Sequence, residues 1–71
     1  MTNTNLLKAR MVERGDTDVI SKVAALLNVS RTTASNKLNN NTSFNQEEIA
    51  LIARKYNLSA EEIKDIFIGG D

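Results

Sequence analysis

Cysteine, histidine, proline and tryptophan are all missing from these 71 residues. Without cysteine there is no disulfide and no thiolate metal site. Without histidine the chain lacks the commonest general base and the commonest metal ligand. Neither an enzyme nor a metal centre is therefore expected, and no cofactor is implied. The lack of proline, with only three glycines, leaves little to interrupt helices. A long apolar run is missing too. Nothing approaches the ~20 residues of a membrane span, and Met1 to Asn5 is polar where a leader would be apolar. A cytoplasmic location with no membrane partner is expected, and the absence of cysteine agrees with it.

An excess of either charge is also absent, with nine basic and nine acidic side chains. A neutral total speaks against a nucleic-acid binder. The distribution says more. Residues 1–18 carry three groups of each sign. Residues 19–46 carry Lys22, Arg31 and Lys37 and no carboxylate, whereas residues 47–71 carry three basic groups against six acidic ones. The middle of the chain is locally positive. The pairs Glu47-Glu48 and Glu61-Glu62 could suggest acid-base chemistry, but both fall in first turns of expected helices, where glutamate meets the positive helix end. Arg54, Lys55 and Lys64 are expected as surface charges near Glu61 and Asp65.

What is present reads as one all-α domain over 1–71, with five helices. The first runs from about Leu6 to Arg14, with Leu7 and Met11 inward, and Gly15 stops it. Thr17 or Asp18 caps the second, whose Val19, Ile20, Val23, Ala24 and Leu27 form an i, i+3, i+4 stripe. Asn28 closes it in a left-handed conformation. Ser30 caps the third helix, Arg31 to about Asn39. The run from Asn39 to Ser43 is a polar loop. The fourth helix, Gln46 to Tyr56, and the fifth, Ala60 to Phe67, each begin with a capping box, Asn45 with Glu48 and Ser59 with Glu62. Phe44 with Ile49, and Leu58 with Ile63, add hydrophobic staples. Gly69 and Gly70 end the fold.

The informative unit is 20–39. Only Ala34 and Leu38 face inward on the third helix, and its remaining side chains are polar. Such a helix makes a poor core element and suits the reading of base edges. Arginine bonds guanine bidentately, asparagine bonds adenine, and threonine methyls meet thymine methyls.

The run KVAALLNVSRTTASNKLNN resembles the helix-turn-helix of the Cro-type and phage-repressor family of bacterial and phage regulators. Ala24 corresponds to the small residue packed between the two helices, Val29-Ser30 to the apolar-Ser turn, and Leu38 to the late apolar anchor. The likeness extends over nearly the whole chain, through NQEEIALIARKYNLSAEEIKDIF, in the style of short lysogeny-control proteins of temperate phages. The resemblance implies a compact five-helix helix-turn-helix domain of the phage-repressor type. It also implies a sequence-specific DNA-binding transcription regulator, a repressor or Cro-like protein that dimerises on a double-stranded operator. Arg31, Thr32, Ser35 and Asn36 would read bases. Lys22, Lys37, Asn39, Asn40 and Asn41 would hold phosphates, which orient the protein while base contacts specify sequence. For the three asparagines, plain turn chemistry is an equal reading.

Ile63, Ile66, Phe67 and Ile68 form an apolar cluster that serves either as core against the first helix or as a dimer or partner interface. Together with Ile20 and the neutral charge, it supports a second function: a protein-binding modulator or antirepressor in a heterocomplex with a phage or bacterial repressor. An inhibitor of an enzyme has no positive feature in the sequence.

Overall fold

Each helix begins where a side-chain oxygen can accept a free backbone N–H. In the computed structural model, which describes residues 2–68, the elements are α1 (Thr4–Glu13), α2 (Val19–Leu27), α3 (Arg31–Leu38), α4 (Gln46–Lys55) and α5 (Ala60–Ile63). A single π-helical segment, Lys64–Ile68, continues α5. The caps are Asn3, Asp18, Ser30, Asn45 and Ser59, each accepting from the residue three positions on. Of the two expected caps for α2, Asp18 takes the position. Both capping boxes are closed in both directions, at 2.8 and 2.9 Å for Asn45 with Glu48, and 3.1 and 3.0 Å for Ser59 with Glu62. Helix α1 starts two residues earlier than the apolar pattern indicates, because Asn3 supplies its cap. The expected stop at Gly69 and Gly70 lies outside the described residues.

The ends of the first four helices share one device. Gly15, Asn28, Asn40 and Asn57 all have positive φ, at 98°, 57°, 62° and 52°. The next residue's N–H then reaches back five positions: Asp16 to Met11 O, Val29 to Ala24 O, Asn41 to Asn36 O, and Leu58 to Ala53 O, at 2.8–3.1 Å. This is the 6→1 bond of a Schellman ending, which satisfies carbonyls that the helix leaves open. Asparagine, like aspartate, is one of the few side-chain-bearing residues that adopt this conformation, because its short polar side chain can hydrogen-bond locally.

The core is apolar throughout. Leu7, Met11, Val23, Ala34, Ile52 and Ile66 are fully covered, and Ala24, Leu38, Phe44, Tyr56, Leu58 and Phe67 nearly so. Phe44 and Phe67 meet edge to face, 5.8 Å between centroids. Among the described residues, no side-chain polar atom is buried without a partner. Helices α2 and α3 pack on each other more extensively than α2 packs on α1 or α4. Ala24 and Ala34, small and buried, allow that close approach. The chain is an all-helical bundle 28 × 25 × 20 Å across, with no strand among the described residues. No described helix is long and apolar enough to cross a membrane.

The C-terminal cluster divides between core and surface. Ile66 and Phe67 both face inward, at 0% and 9% exposed, while Ile63 is half-buried against the core. The Asn3 N–H bonds Ile66 O at 2.7 Å, joining the two ends of the bundle. For Ile66 and Phe67 the interface alternative is therefore replaced by the core. Ile68 alone is turned out, 70% exposed.

Candidate functional site

Helix α3 is anchored by Ala34 and Leu38, one turn apart and both buried. That turns Thr32 and Asn36 outward, with Arg31 and Ser35 at the edge of the buried stripe. Arg31, Thr32, Ser35 and Asn36, which follow the i, i+1, i+4, i+5 spacing of one helix face, line a single shallow depression of about 300 Å³. Ile20 from α2 forms its remaining wall. The four expected base-reading residues are thus brought together, with one apolar side chain among them.

Their hydrogen-bonding groups are partly preset. Arg31 lies 3.7 Å from the carboxylate of Asp18, the N-cap of α2, and donates to the Ser21 hydroxyl in its first turn. The pair is well exposed, with side chains 64% and 60% accessible, so water screens it and its strength is small. Hydrogen bonds from Ser21, and then the charge of Arg31, hold the Asp18 carboxyl below its ordinary range. Ser35 Oγ accepts from Asn39 Nδ2 at 3.3 Å, and Asn36 Oδ1 accepts from Asn41 Nδ2 at 3.4 Å. Among the described residues, neither the Asn36 amide N–H groups nor the Thr32 hydroxyl has a side-chain partner.

The expected phosphate-holding set is not assembled on this face. Lys37 turns toward α4. Its Nζ donates to Ser43 O and to Glu48 Oε1, each at 3.0 Å, and sits 5.8 Å above the Phe44 ring. Its charge is matched inside the fold by the Glu48 carboxylate. Lys22 is two residues from Ile20, about 200° around α2, and lines a different groove with Ala25, Leu26, Lys55 and Tyr56. Asn40 supplies the positive φ that ends α3, and its Nδ2 donates to Thr2 O at 3.1 Å. Asn41 holds Asn36 from below. Among these three asparagines, Asn40 and Asn41 are engaged in turn and loop contacts, the reading that the sequence leaves level with a phosphate role, and Asn39 is exposed beside Ser35.

Sequence reasoning passes over Ser21 and Asp18 as parts of this site. Their signal is available, since a helix N-cap and its first turn pack against the start of the next helix in a tight α2–turn–α3 unit. Among the described residues, no three carboxylates converge where a metal ion could be held. No family model matches the chain, and no characterised protein or solved structure matches it.

Proposed function

We propose that this chain is a transcription regulator built as a helix-turn-helix domain of the phage-repressor type, and that it presents the outer face of α3 to the major groove of a DNA operator. The observation that carries the proposal is the convergence of Arg31, Thr32, Ser35 and Asn36 on one exposed depression. The N-terminal end of a recognition helix meets base edges first, and these side chains supply a guanidinium, two hydroxyls and an amide for direct readout. The proposed role is binding, with operator occlusion as its mechanism and no catalytic step.

Electrostatics shape how such a protein works. Phosphate neutralisation supplies most non-specific affinity. Among the described residues that line this depression Arg31 is the single cation, and Asp18 stands beside it. One protomer therefore binds weakly, and tight operator binding requires a second protomer or a partner protein. The expected salt dependence is shallow, about one to two released ions per protomer.

A second reading is favoured by Ile20. An apolar wall within a hydrogen-bonding depression, with the nearest cation already matched, also suits a protein surface. In that reading the α3 face associates with a repressor and alters that repressor's DNA binding. One experiment separates the two. Fluorescence anisotropy of the protein with promoter-region duplexes, with and without a candidate repressor, is compared for the native chain and for Arg31→Ala and Asn36→Ala. Operator selectivity by the chain alone, with each substitution costing about 1–3 kcal/mol, supports the DNA reading. Binding that needs the second protein, and is lost in the same variants, supports the modulator reading. Unchanged binding in both variants contradicts the α3 face in either role.

A further inference from the structure

The groove between α2 and α4 plays no part in the α3 face. Lys22, Ala25 and Leu26 form one side, Lys55 and Tyr56 the other, enclosing about 310 Å³. Its floor is apolar, from the side chains of Ala25 and Leu26 and the ring of Tyr56, a residue that belongs to the core. Lys22 and Lys55 are exposed at its rim. Past Tyr56 and Lys55 the surface continues into a second depression of about 440 Å³, bounded by Arg14, Asp16 and Asn57. There Arg14 is held by Glu62 at 3.3 Å, and Asp16 lies beside Tyr56. Lys22 and Lys55, by contrast, have no carboxylate partner among the described residues. Leu51, one turn before Lys55 on α4, is an exposed large apolar side chain, 38% accessible.

Two unmatched cations over an apolar floor define the chemistry of an occupant. A nucleic-acid backbone has charge to match them but nothing to place on Ala25, Leu26 and Tyr56. A neutral apolar segment fills the floor and leaves both ammonium groups unmatched. An acidic segment carrying one large apolar side chain satisfies both demands, since interfaces place complementary charge around a buried anchor. We infer that this groove docks an acidic segment of a partner protein, with one large apolar side chain seated between Lys22 and Lys55. Because Lys22 and Ile20 lie on opposite sides of α2, the groove stays open when the α3 face is engaged. The inference does not depend on what α3 binds.

The test uses the full chain and a fluorescein-labelled peptide of roughly twelve residues, alternating Glu and Asp around one central Leu, with a Ser-for-Leu peptide as control. The native protein binds the Leu peptide, more weakly as salt rises, and binds the Ser peptide several-fold less well. Lys22→Glu with Lys55→Glu weakens the Leu peptide by about tenfold or more, with helical content by circular dichroism unchanged. Arg31→Ala and Asn36→Ala bind it as the native chain does. Equal affinity for the two peptides, or equal binding by the double charge reversal, overturns the inference. So does a concentration-dependent dimer that the charge reversal abolishes, which would give the groove to a second copy. A parallel loss of duplex binding in the charge reversal would assign the lysines to phosphates and overturn it as well.

Discussion

Lys37 on α3 and Glu48 on α4 meet at 3.0 Å, with side chains only 12% and 14% exposed. The same Glu48 oxygen accepts the Asn45 N–H at 2.9 Å, and the Lys37 ammonium also donates to Ser43 O. One ion pair thus closes the α3–α4 loop and completes the cap of α4. It also withdraws a cation from the surface on which the charge pattern of the sequence places it.

Replacing Lys37 by Met should lower stability by about 1–2 kcal/mol, since Glu48 loses a charged, partly covered partner while keeping its cap bond. Binding per folded molecule should be unchanged. Urea unfolding alongside the anisotropy titration checks both. Intact stability with weakened, less salt-sensitive binding would return Lys37 to a phosphate role.

The asparagine endings make a second prediction. Asn57→Ala should cost about 1–2 kcal/mol, because alanine is strained in the left-handed conformation that Asn57 adopts. Asn57→Gly should be neutral or stabilising. Asn28 should behave in the same way. Thermal unfolding of the four variants measures this, and equal effects of Ala and Gly would contradict the proposed origin of the helix ends.

How much of this was legible in the sequence follows from how local each signal is. Caps and capping boxes involve residues three apart, so Ser30, Asn45 and Ser59 mark their helices without tertiary information. Gly15 and Asn28 are readable as stops for the same reason. Asn57 is not, because only the break in apolar periodicity before Leu58 distinguishes it from an asparagine on a helix surface. The α3 face is legible once Ala34 and Leu38 fix the inward side. The charge argument fails for a spatial reason. Residues 19–46 contain no acid, yet Asp18 and Glu48, just outside both ends, fold back onto Arg31 and Lys37. Lys22 lies away from the α3 face, and its position along α2 says nothing of which neighbour it faces. The π segment has no recognisable sequence signal, whereas the shared inward face of Ile63, Ile66 and Phe67 follows from their i, i+3, i+4 spacing.

The burial of Ile66 is testable by comparison within one element. Ile66→Ala should cost about 2–5 kcal/mol by opening a cavity, a large share of the stability of so small a domain. Ile68→Ser, at an exposed position, should stay within about 0.5 kcal/mol. Chemical denaturation of both variants measures the contrast, and similar losses would contradict the burial assigned to the π segment.

The pH profile should be flat from about pH 6 to 9, since the chain has no histidine. Glu62 is held below its ordinary 4.5 chiefly by the backbone N–H of Ser59, and then by Arg14 and Arg10; Asp18 is held below its ordinary 3.8 by its bonds to Ser21 and by Arg31. A lowered folded value favours the native state above the unfolded pKa and loses that advantage as acid protonates the folded group. The melting temperature should therefore fall from about pH 4.5 downward, less steeply in Glu62→Gln. Tyr56 behaves oppositely. Burial, and then Asp16, raise its phenol above 10.0, so stability declines as pH rises past that value. Tyr56→Phe should remove that alkaline decline. A melting temperature that varies between pH 6 and 9, or acid and alkaline limbs identical in the variants, would contradict these assignments.

The most direct test of the central claim is an amide chemical-shift titration of the isotopically labelled chain with a promoter-region duplex, repeated with a candidate repressor. Saturable shifts confined to Ile20, Arg31, Thr32, Ser35 and Asn36, with one ligand or the other, are the predicted result. Saturable shifts that leave α3 untouched and fall on α5 or around Ile68 would contradict it.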